Sequence, residues 1–423
     1  VLVVGGGGRE HALCWAMSRA AVVFCAPGNP GTATLGTNLP IPVDNHDALM
    51  EACRLHHVDL VVIGPEAPLA AGLVDRLAAA GIAAFGPTGA AARLEASKSF
   101  AKSVMARASV PTAASGTFTD ARQARQYIAA QPEPLVVKAS GLAAGKGVVV
   151  CPTRADAERQ VAEMLAGRFG EAGREVIVEG FLEGEELSIL VLTDGDQRLF
   201  LPPSQDHKRL CEGDTGPNTG GMGAYTPVAI GTEQLLDTVE RTIVGPVLRE
   251  MAAMGTPYRG LLYAGLMITP GGDPYVLEFN CRFGDPETQV VLPALDDDLT
   301  EHFWRIGHHE PWRPGARRLH PARAAVTTVL AARGYPDTPE KGAVISLPAA
   351  LPDDTLLFHA GTTADPDGSL RVAGGRVLCA TGLGADVPAA ADRSRWLADA
   401  ISFAGRQFRR DIGWREAARA GAP

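Results

Sequence analysis

The sequence predicts a multidomain protein of mixed α/β and α+β class, on three observations. Short β-branched runs ending in Gly/Pro loops alternate with helical segments over residues 1–97. A hairpin pattern bearing paired oxygen donors follows near residues 261–282. Beyond a Pro- and Arg-rich junction at 312–318, short strands broken by Gly and Pro lead to an amphipathic helix. A chain of 423 residues has room for two to four such domains.

Val1-Leu2-Val3-Val4 reads as a buried strand running into Gly5-Gly6-Gly7-Gly8, and Arg9-Glu10-His11 opens a helix. Free backbone N–H groups and the helix dipole at such a junction favour an anion. The dinucleotide pattern G-x-G-x-x-G fails, because Gly5 and Gly7 lead to Glu10, and Gly6 and Gly8 to His11. Phosphate binding therefore stands as an expectation, while an NAD-linked oxidoreductase loses its support. The runs 22–25, 60–63 and 82–85 each end in a Gly/Pro loop, which implies a parallel doubly wound sheet with ligands at the carboxyl ends of its strands. Asn29 and Glu66 stand in those loops, as ligand contacts or as ordinary turn residues.

A helix is expected from Lys98 towards Pro111. Leu135-Val136-Val137-Lys138 is a strand ending in a lysine, and the small-residue loop 139–147 carries Gly145 and Lys146 before the next strand, 148–151. Such a loop can close over a polyphosphate. It is not a Walker A loop: Ser140 stands for its first Gly, Gly147 for its Ser/Thr, and no helix follows. The strand 175–179 continues through Gly180-Phe181-Leu182 to Glu186, offering backbone groups to a purine edge and a carboxylate to ribose, or forming a solvated acidic loop. The runs 204–209 and 214–223 gather Asp206, Lys208, Asp214, Gly216, Asn218 and Thr219 near several glycines. Long irregular segments inside compact enzymes are commonly functional.

Alternation along 274–280 puts Tyr275, Leu277 and Phe279 on one face and Glu278 and Asn280 on the other, with Arg282 beyond. Two oxygen donors two residues apart can grip a hard cation, and a guanidinium can hold an anion in a bidentate fork. A polar strand edge with an incidental ion pair is the other reading of this run taken alone. Towards the C-terminus, Gly374-Gly375 reads as a hairpin turn. His56-His57 and His308-His309 lack metal-ligand context and are expected at helix ends or on the surface.

A net charge of −9 argues against a nucleic-acid groove. Seven scattered cysteines with no CxxC pair fit reduced thiols. No leader pattern opens the chain and no apolar run suits a membrane span, so a cytoplasmic protein without a membrane partner is expected.

The runs 5–11, 64–69, 138–147, 206–209, 214–223, 277–288, 374–378 and 411–415 together resemble the phosphoribosylamine–glycine ligases (glycinamide ribonucleotide synthetases) of the ATP-grasp superfamily. The resemblance implies a Rossmann-like N-terminal domain (1–97), an ATP-grasp core (98–316) with a mobile lid at about 112–179, and a C-terminal α+β domain (317–423). It implies that glycine, 5-phosphoribosylamine and ATP give glycinamide ribonucleotide, ADP and phosphate through glycyl phosphate, on a monomer. Carried over, Glu278 and Asn280 hold Mg²⁺ or Mn²⁺, and Lys98, Lys138, Gly145 and Lys146 lie near the ATP phosphates. Glu179, Phe181, Leu182 and Glu186 meet adenosine. Arg282, Asp214 and Lys146 are the catalytic groups. Asp206, Lys208, Gly216, Asn218 and Thr219 join Asp214 and Arg282 around glycine, while Gly7, Gly8, Asn29 and Glu66 meet phosphoribosylamine. Another ATP-grasp carboxylate–amine ligase, or a nucleotide-binding protein without turnover, are the rival readings. Ser140, where Asp is usual, and Gly180, where a larger residue is usual, depart from the pattern.

Overall fold

Leu2, Val3 and Val4 are completely buried, and β1 (Leu2–Gly5), the strand they build, is the centre of an all-parallel sheet. In the computed structural model, which describes residues 1–143 and 147–420, its neighbours are β2 (Phe24–Pro27) and β4 (Val61–Ile63). β3 (Thr37–Asn38) and β5 (Ala84–Phe85) close the edges, giving the order β3-β2-β1-β4-β5. Parallel neighbours require crossover connections, and helices supply them here. The doubly wound sheet expected from the sequence is therefore present, with the loops after β1 and β4 at its ligand-binding end.

The middle of the chain forms two antiparallel sheets. β6 (Ser115–Phe118), β7 (Leu135–Ala139), β8 (Val148–Cys151) and β9 (Val176–Gly180) pair in the order β6-β9-β7-β8 around their own core, in which Ile128, Val137, Val161 and Val178 meet. β10 (Glu185–Thr193), β11 (Arg198–Phe200), β16 (Gly260–Ile268) and β17 (Pro274–Asn280) pair as β11-β10-β16-β17. This second sheet shares one core with the N-terminal sheet, joining Leu2 and Val4 to Leu266, Val276 and Phe279.

The alternation expected along β17 is broken. Glu278 faces Gly265 but Val276 faces the next residue, Leu266, so Leu277 is the extra residue of a β-bulge. Val276 and Phe279 both enter the core, and Leu277 turns instead to a cleft. The expected apolar face of Tyr275, Leu277 and Phe279 is thus wrong. Glu278 and Asn280 both lie past the bulge and keep a common side.

The remaining strands are β12 (Gln205–Asp206), β13 (Arg209–Cys211), β14 (Thr215–Asn218), β15 (Gly223–Thr226), β18 (Ala324–Ala331), β19 (Val344–Ile345), β20 (Thr355–His359), β21 (Thr362–Ala364), β22 (Leu370–Val372) and β23 (Arg376–Gly384). A sheet ordered β12-β15-β18-β23-β20 crosses the boundary expected at 316/317. β18 is buried along its whole length, so its backbone groups need a partner strand on each side. β23 supplies one and β15, from the middle of the chain, the other. Gly374-Gly375 is not a hairpin turn: β22 pairs with β19 and β21, β23 with β18 and β20, and the two glycines join those sheets. Backbones pass closely there, since a Cβ on Gly374 would lie 3.0 Å from the Cα of Gly361. His57 and His309 take left-handed conformations just past the helices His46–Leu55 and Thr300–Gly307, the position where such a residue ends a helix. Among the described residues no helix is long and apolar enough to cross a membrane.

Of the four histidines buried among the described residues, His11, His207 and His359 are the most strongly held as neutral rings. His11 accepts the His359 backbone N–H at Nδ1 (2.8 Å), tying the first helix to β20. His207 accepts the Gly413 N–H at Nε2 (3.0 Å). Burial pushes His11 down to about 3, with the charge of His359 adding to it. Burial likewise lowers His207 and His359 to about 4, the neighbouring Arg409 adding to the effect on His207. Above pH ~6.5 these rings are neutral folded or unfolded, so they add no pH dependence. As pH falls from about 6.5 towards 4 the unfolded chain takes up protons that the folded chain refuses, and stability is lost. With three such groups the slope approaches ~4 kcal/mol per pH unit near pH 5. Urea unfolding at pH 7.0 and 5.0 checks this; an unchanged midpoint would refute the neutral buried rings.

Candidate active site

A cleft of about 860 Å³ opens between the two middle sheets and the C-terminal ends of β1 and β4. That volume falls in the range of small-molecule sites, about 300–1,000 Å³. The bulge in β17 sends Leu277 into it, and Glu278, Asn280 and Arg282 line it as well. Burial alone would raise the Glu278 pKa, but Lys208, Lys98, Lys138 and Arg282 outweigh it and hold the group below the ordinary glutamate value. Among the described residues no hydrogen bond reaches this carboxylate. An ionised oxygen pair ringed by cations, yet bonded to none of them, is open to a ligand.

Arg282 is tightly held. Its Nη2 donates to Glu95 Oε1 (2.8 Å) and Asn280 Oδ1 (3.1 Å), and Nη1 to the Phe283 carbonyl (3.1 Å). Nε lies 3.5 Å from Glu66 Oε2 without a hydrogen bond. Burial disfavours the charge, but Glu95 and Glu66 more than compensate and raise the guanidinium pKa further. Glu95, on the helix Gly89–Ala96, also accepts from the Cys281 N–H (2.7 Å) and Sγ (3.0 Å). It is a partner that sequence reading missed.

Lys98 begins the helix Lys98–Arg107, whose first turn Ser97 caps by accepting from the Phe100 N–H (3.2 Å). Its Nζ donates to the Gly141 carbonyl (3.3 Å), at the base of the loop 139–147. Burial lowers its pKa, Glu278 working against the shift and Lys138 with it. Lys138 donates to the Leu277 carbonyl (3.1 Å) and pairs with Glu179. Glu179 also pairs with Lys102 at 2.7 Å. Its carboxylate, which also lines the cleft, is therefore shared between two lysines; deep burial leaves it viable only with such partners. Gly145 and Lys146 lie outside the described residues, while the flanking Ala143 and Gly147 line the cleft.

Phe181, Leu182 and Glu186 line the cleft, Glu186 pairing with Lys208 at 2.7 Å. Burial opposes the Lys208 charge, but Glu186 and Glu278 raise its pKa well above the ordinary lysine value. Asp206 is pushed up by burial and by the nearby Glu287, and its Oδ1 has no hydrogen-bond partner among the described residues. Asn218 and Thr219 line the cleft at the end of the hairpin β13–β14, where Thr219 N and Oγ1 both donate to the Lys208 carbonyl (2.8 and 2.9 Å). Gly216, at φ 81°, shapes that hairpin and does not line the cleft. Asp214 lines it, but both its oxygens are held by arginines, from Arg409 (2.8 Å) and Arg415 (2.6 Å).

The glycine loop differs from expectation. The Gly7 N–H, offered above to an anion, donates to Glu10 Oε2 (2.7 Å). The Glu10 side chain fills the space where Gly5 and Gly64 lack a Cβ, which would come within 2.4 Å of its Cγ and 2.0 Å of its Oε1. A Cβ on Gly8 would meet Gln289 Nε2 at 2.6 Å. Asn29 spends its amide on the Gly6 and His359 carbonyls (3.0 and 2.9 Å) and its oxygen on the N–H groups of Gly31 and Thr32. None of Gly7, Gly8 and Asn29 lines the cleft; of that group only Glu66 does. Arg9, Lys102, Arg376 and Arg415 line it without having been singled out. Arg376 and Arg415 lie in the runs 374–378 and 411–415, whose resemblance was the available signal.

Profiles described as the N, ATP-grasp (A) and C domains of phosphoribosylglycinamide synthetase match residues 1–95, 96–288 and 325–415. A phosphoribosylamine–glycine ligase of Ralstonia nicotianae is 47% identical over 98% of this chain and 99% of its own length. One from Vibrio cholerae is 47% identical over 99% of both. The crystal structure of phosphoribosylamine–glycine ligase from Thermotoga maritima superposes with a TM-score of 0.85 at 35% identity, covering 97% of this chain and 99% of that one. The biotin carboxylase domain of Hydrogenobacter thermophilus 2-oxoglutarate carboxylase, solved with MgADP and bicarbonate, shares the fold at 18% identity and a TM-score of 0.72, over 96% of this chain and 91% of that one.

Proposed function

The chain belongs to the phosphoribosylglycinamide synthetase family, and from that premise we propose that it joins glycine to 5-phosphoribosylamine with cleavage of ATP. The products are glycinamide ribonucleotide, ADP and phosphate, a step of purine biosynthesis. The observation that carries this reading is Glu278, kept ionised by four named cations, unbonded among the described residues, beside Asn280 and Arg282 in one cleft.

The donor set fits Mg²⁺ or Mn²⁺, because Glu278 offers carboxylate oxygens and Asn280 an amide oxygen, and the cleft leaves room for substrate phosphates and water. Glu278 and Asn280 would hold such a cation, which would supply positive charge beside the phosphates. Lys98 and Lys138, with Lys146, bind the ATP phosphates. Arg282, oriented by Glu95, steadies the γ-phosphoryl group while a glycine carboxylate oxygen attacks it and ADP leaves. The amine nitrogen then attacks the acyl carbon of glycyl phosphate, phosphate departs, and the nitrogen gives up a proton. The sheet β6-β9-β7-β8, with its separate core, is the lid, and its loop 139–147 excludes water from the acyl phosphate. We read residues 1–97, 98–316 and 317–423 as the domains, the core lending β12 and β15 to the last. The enzyme works as a cytoplasmic monomer on small molecules.

An assay of ADP release with ATP, glycine and phosphoribosylamine tests this: turnover requires all three. ADP release that ignores glycine, or prefers another carboxylate, overturns the substrate assignment. Lys146→Ala is expected to raise the KM for ATP about 10- to 100-fold, the size of a lost hydrogen bond between charged groups. Unchanged ATP kinetics in a variant with the parental melting temperature would remove the loop from the phosphate site.

A further inference from the structure

The function above uses nothing of the run Asp411-Ile412-Gly413-Trp414-Arg415, yet this segment reaches the cleft. Arg415, in the first turn of the helix Trp414–Ala420, lines it. Arg409 is 1% exposed and forks onto Asp411, Nε to Oδ1 and Nη2 to Oδ2, both at 2.8 Å. Its Nη1 donates to Asp214 Oδ1 (2.8 Å) and to the Arg209 carbonyl (3.1 Å), while Arg415 Nη2 donates to Asp214 Oδ2 (2.6 Å). Backbone ties run the same way: the Gly213 N–H donates to Asp411 Oδ2 (2.9 Å) and the Arg410 N–H to Glu212 Oε1 (3.0 Å). Further along, Arg419 Nη2 donates to both oxygens of Glu185 (2.6 and 2.7 Å).

These anchors share a property. Glu185 precedes Glu186, His207 (held by the Gly413 N–H) lies between Asp206 and Lys208, and Asp214 immediately precedes the strand that ends at Asn218. Each attachment is thus a few residues from a group that lines the cleft. Asp214 is also backbone-strained, a non-glycine residue at φ 54°. Such a conformation persists when its surroundings over-determine it, and two arginines on one carboxylate do so. Burial would raise the Asp214 pKa, but the hydrogen bond from Arg409 and the charges of Arg415 and Arg409 hold it low, so the group is an ionised anchor and not a proton acceptor.

We propose that residues 409–419 form a strap that sets the hairpin β13–β14 against the cleft, with Arg409 and Arg415 as positioning residues acting through Asp214. The strap therefore places Lys208, Asn218 and Thr219 for the substrate that accepts phosphate. This rests on the ligase reading only for which KM moves; the placement itself is tested without turnover.

The test compares the full chain with Arg415→Gln, Asp214→Asn and their double variant. Each single change is expected to lower kcat/KM for glycine about 10- to 100-fold with the KM for ATP within about twofold. The double variant should be no worse than the poorer single, because both remove one tie. Arg415→Lys should recover part of the loss, and it carries the comparison if the glutamine variant does not fold. Hydrogen exchange of amides 212–219 should quicken at least tenfold in Arg415→Gln. Losses that multiply in the double variant, an equal rise in the KM for ATP, or unchanged exchange would each overturn the strap. Exchange that quickens in a chain with no ligase activity would keep the strap and discard the substrate assignment.

Discussion

Replacing Glu278 by alanine is expected to lower kcat by more than about a hundredfold, the scale of losing one electrostatic group aimed at developing charge. The fold should survive, because no hydrogen bond among the described residues ends on that carboxylate. Its removal strands no donor. It does unbalance a cationic cluster: Lys98 is already held below the ordinary lysine value by burial, and Glu278 is the first of the charges that oppose the shift. Steady-state turnover with saturating divalent cation, alongside a melting curve, separates the two effects. Near-normal turnover in a folded variant would withdraw the metal assignment and with it the carrying observation.

Arg282→Met should fail on both counts. The transferring phosphoryl group loses its guanidinium, worth about a hundred- to a thousandfold in kcat by analogy with a removed oxyanion donor. Glu95, buried with its carboxylate against Arg282 and Cys281, then loses its cation, and breaking one partner from a buried pair costs about 3–5 kcal/mol. Reduced activity with an unshifted melting temperature would show that the Glu95–Arg282 pair does not support the fold. Replacing Glu95 as well, by Gln, should restore much of the stability and none of the activity, since an amide needs no counter-charge.

Much of this site was legible because its residues are close in sequence and obey local geometry. A strand, a glycine loop and a helix start announce a parallel sheet whatever follows, and two donors two residues apart share a side of a strand. Glu278 and Asn280 were found that way. The apolar side of the same strand was misread because a bulge belongs to a pair of strands: whether Leu277 is extra depends on how β16 lies against β17. At the glycine loop one amide was misjudged for a related reason. Its amides are free for an anion only if no side chain arrives first, and Glu10, three residues on from Gly7, takes the Gly7 N–H. Glu179 has partners that its place in the sequence does not announce, since Lys102 and Lys138 converge on it from a helix and another strand.

Sequence by itself determined the elements, the chemistry of the cleft's donors and, through many short runs taken together, the family. Those depend on covalent neighbours and on side-chain type, which a linear string records. Tertiary structure alone decided which charges cancel and which remain available. Asp214 is neutralised by arginines 195 and 201 residues away, Arg282 by a glutamate 187 residues away, and Glu278 by no direct bond among the described residues. Electrostatic partnership falls off over a few ångströms of space and takes no account of distance along the chain.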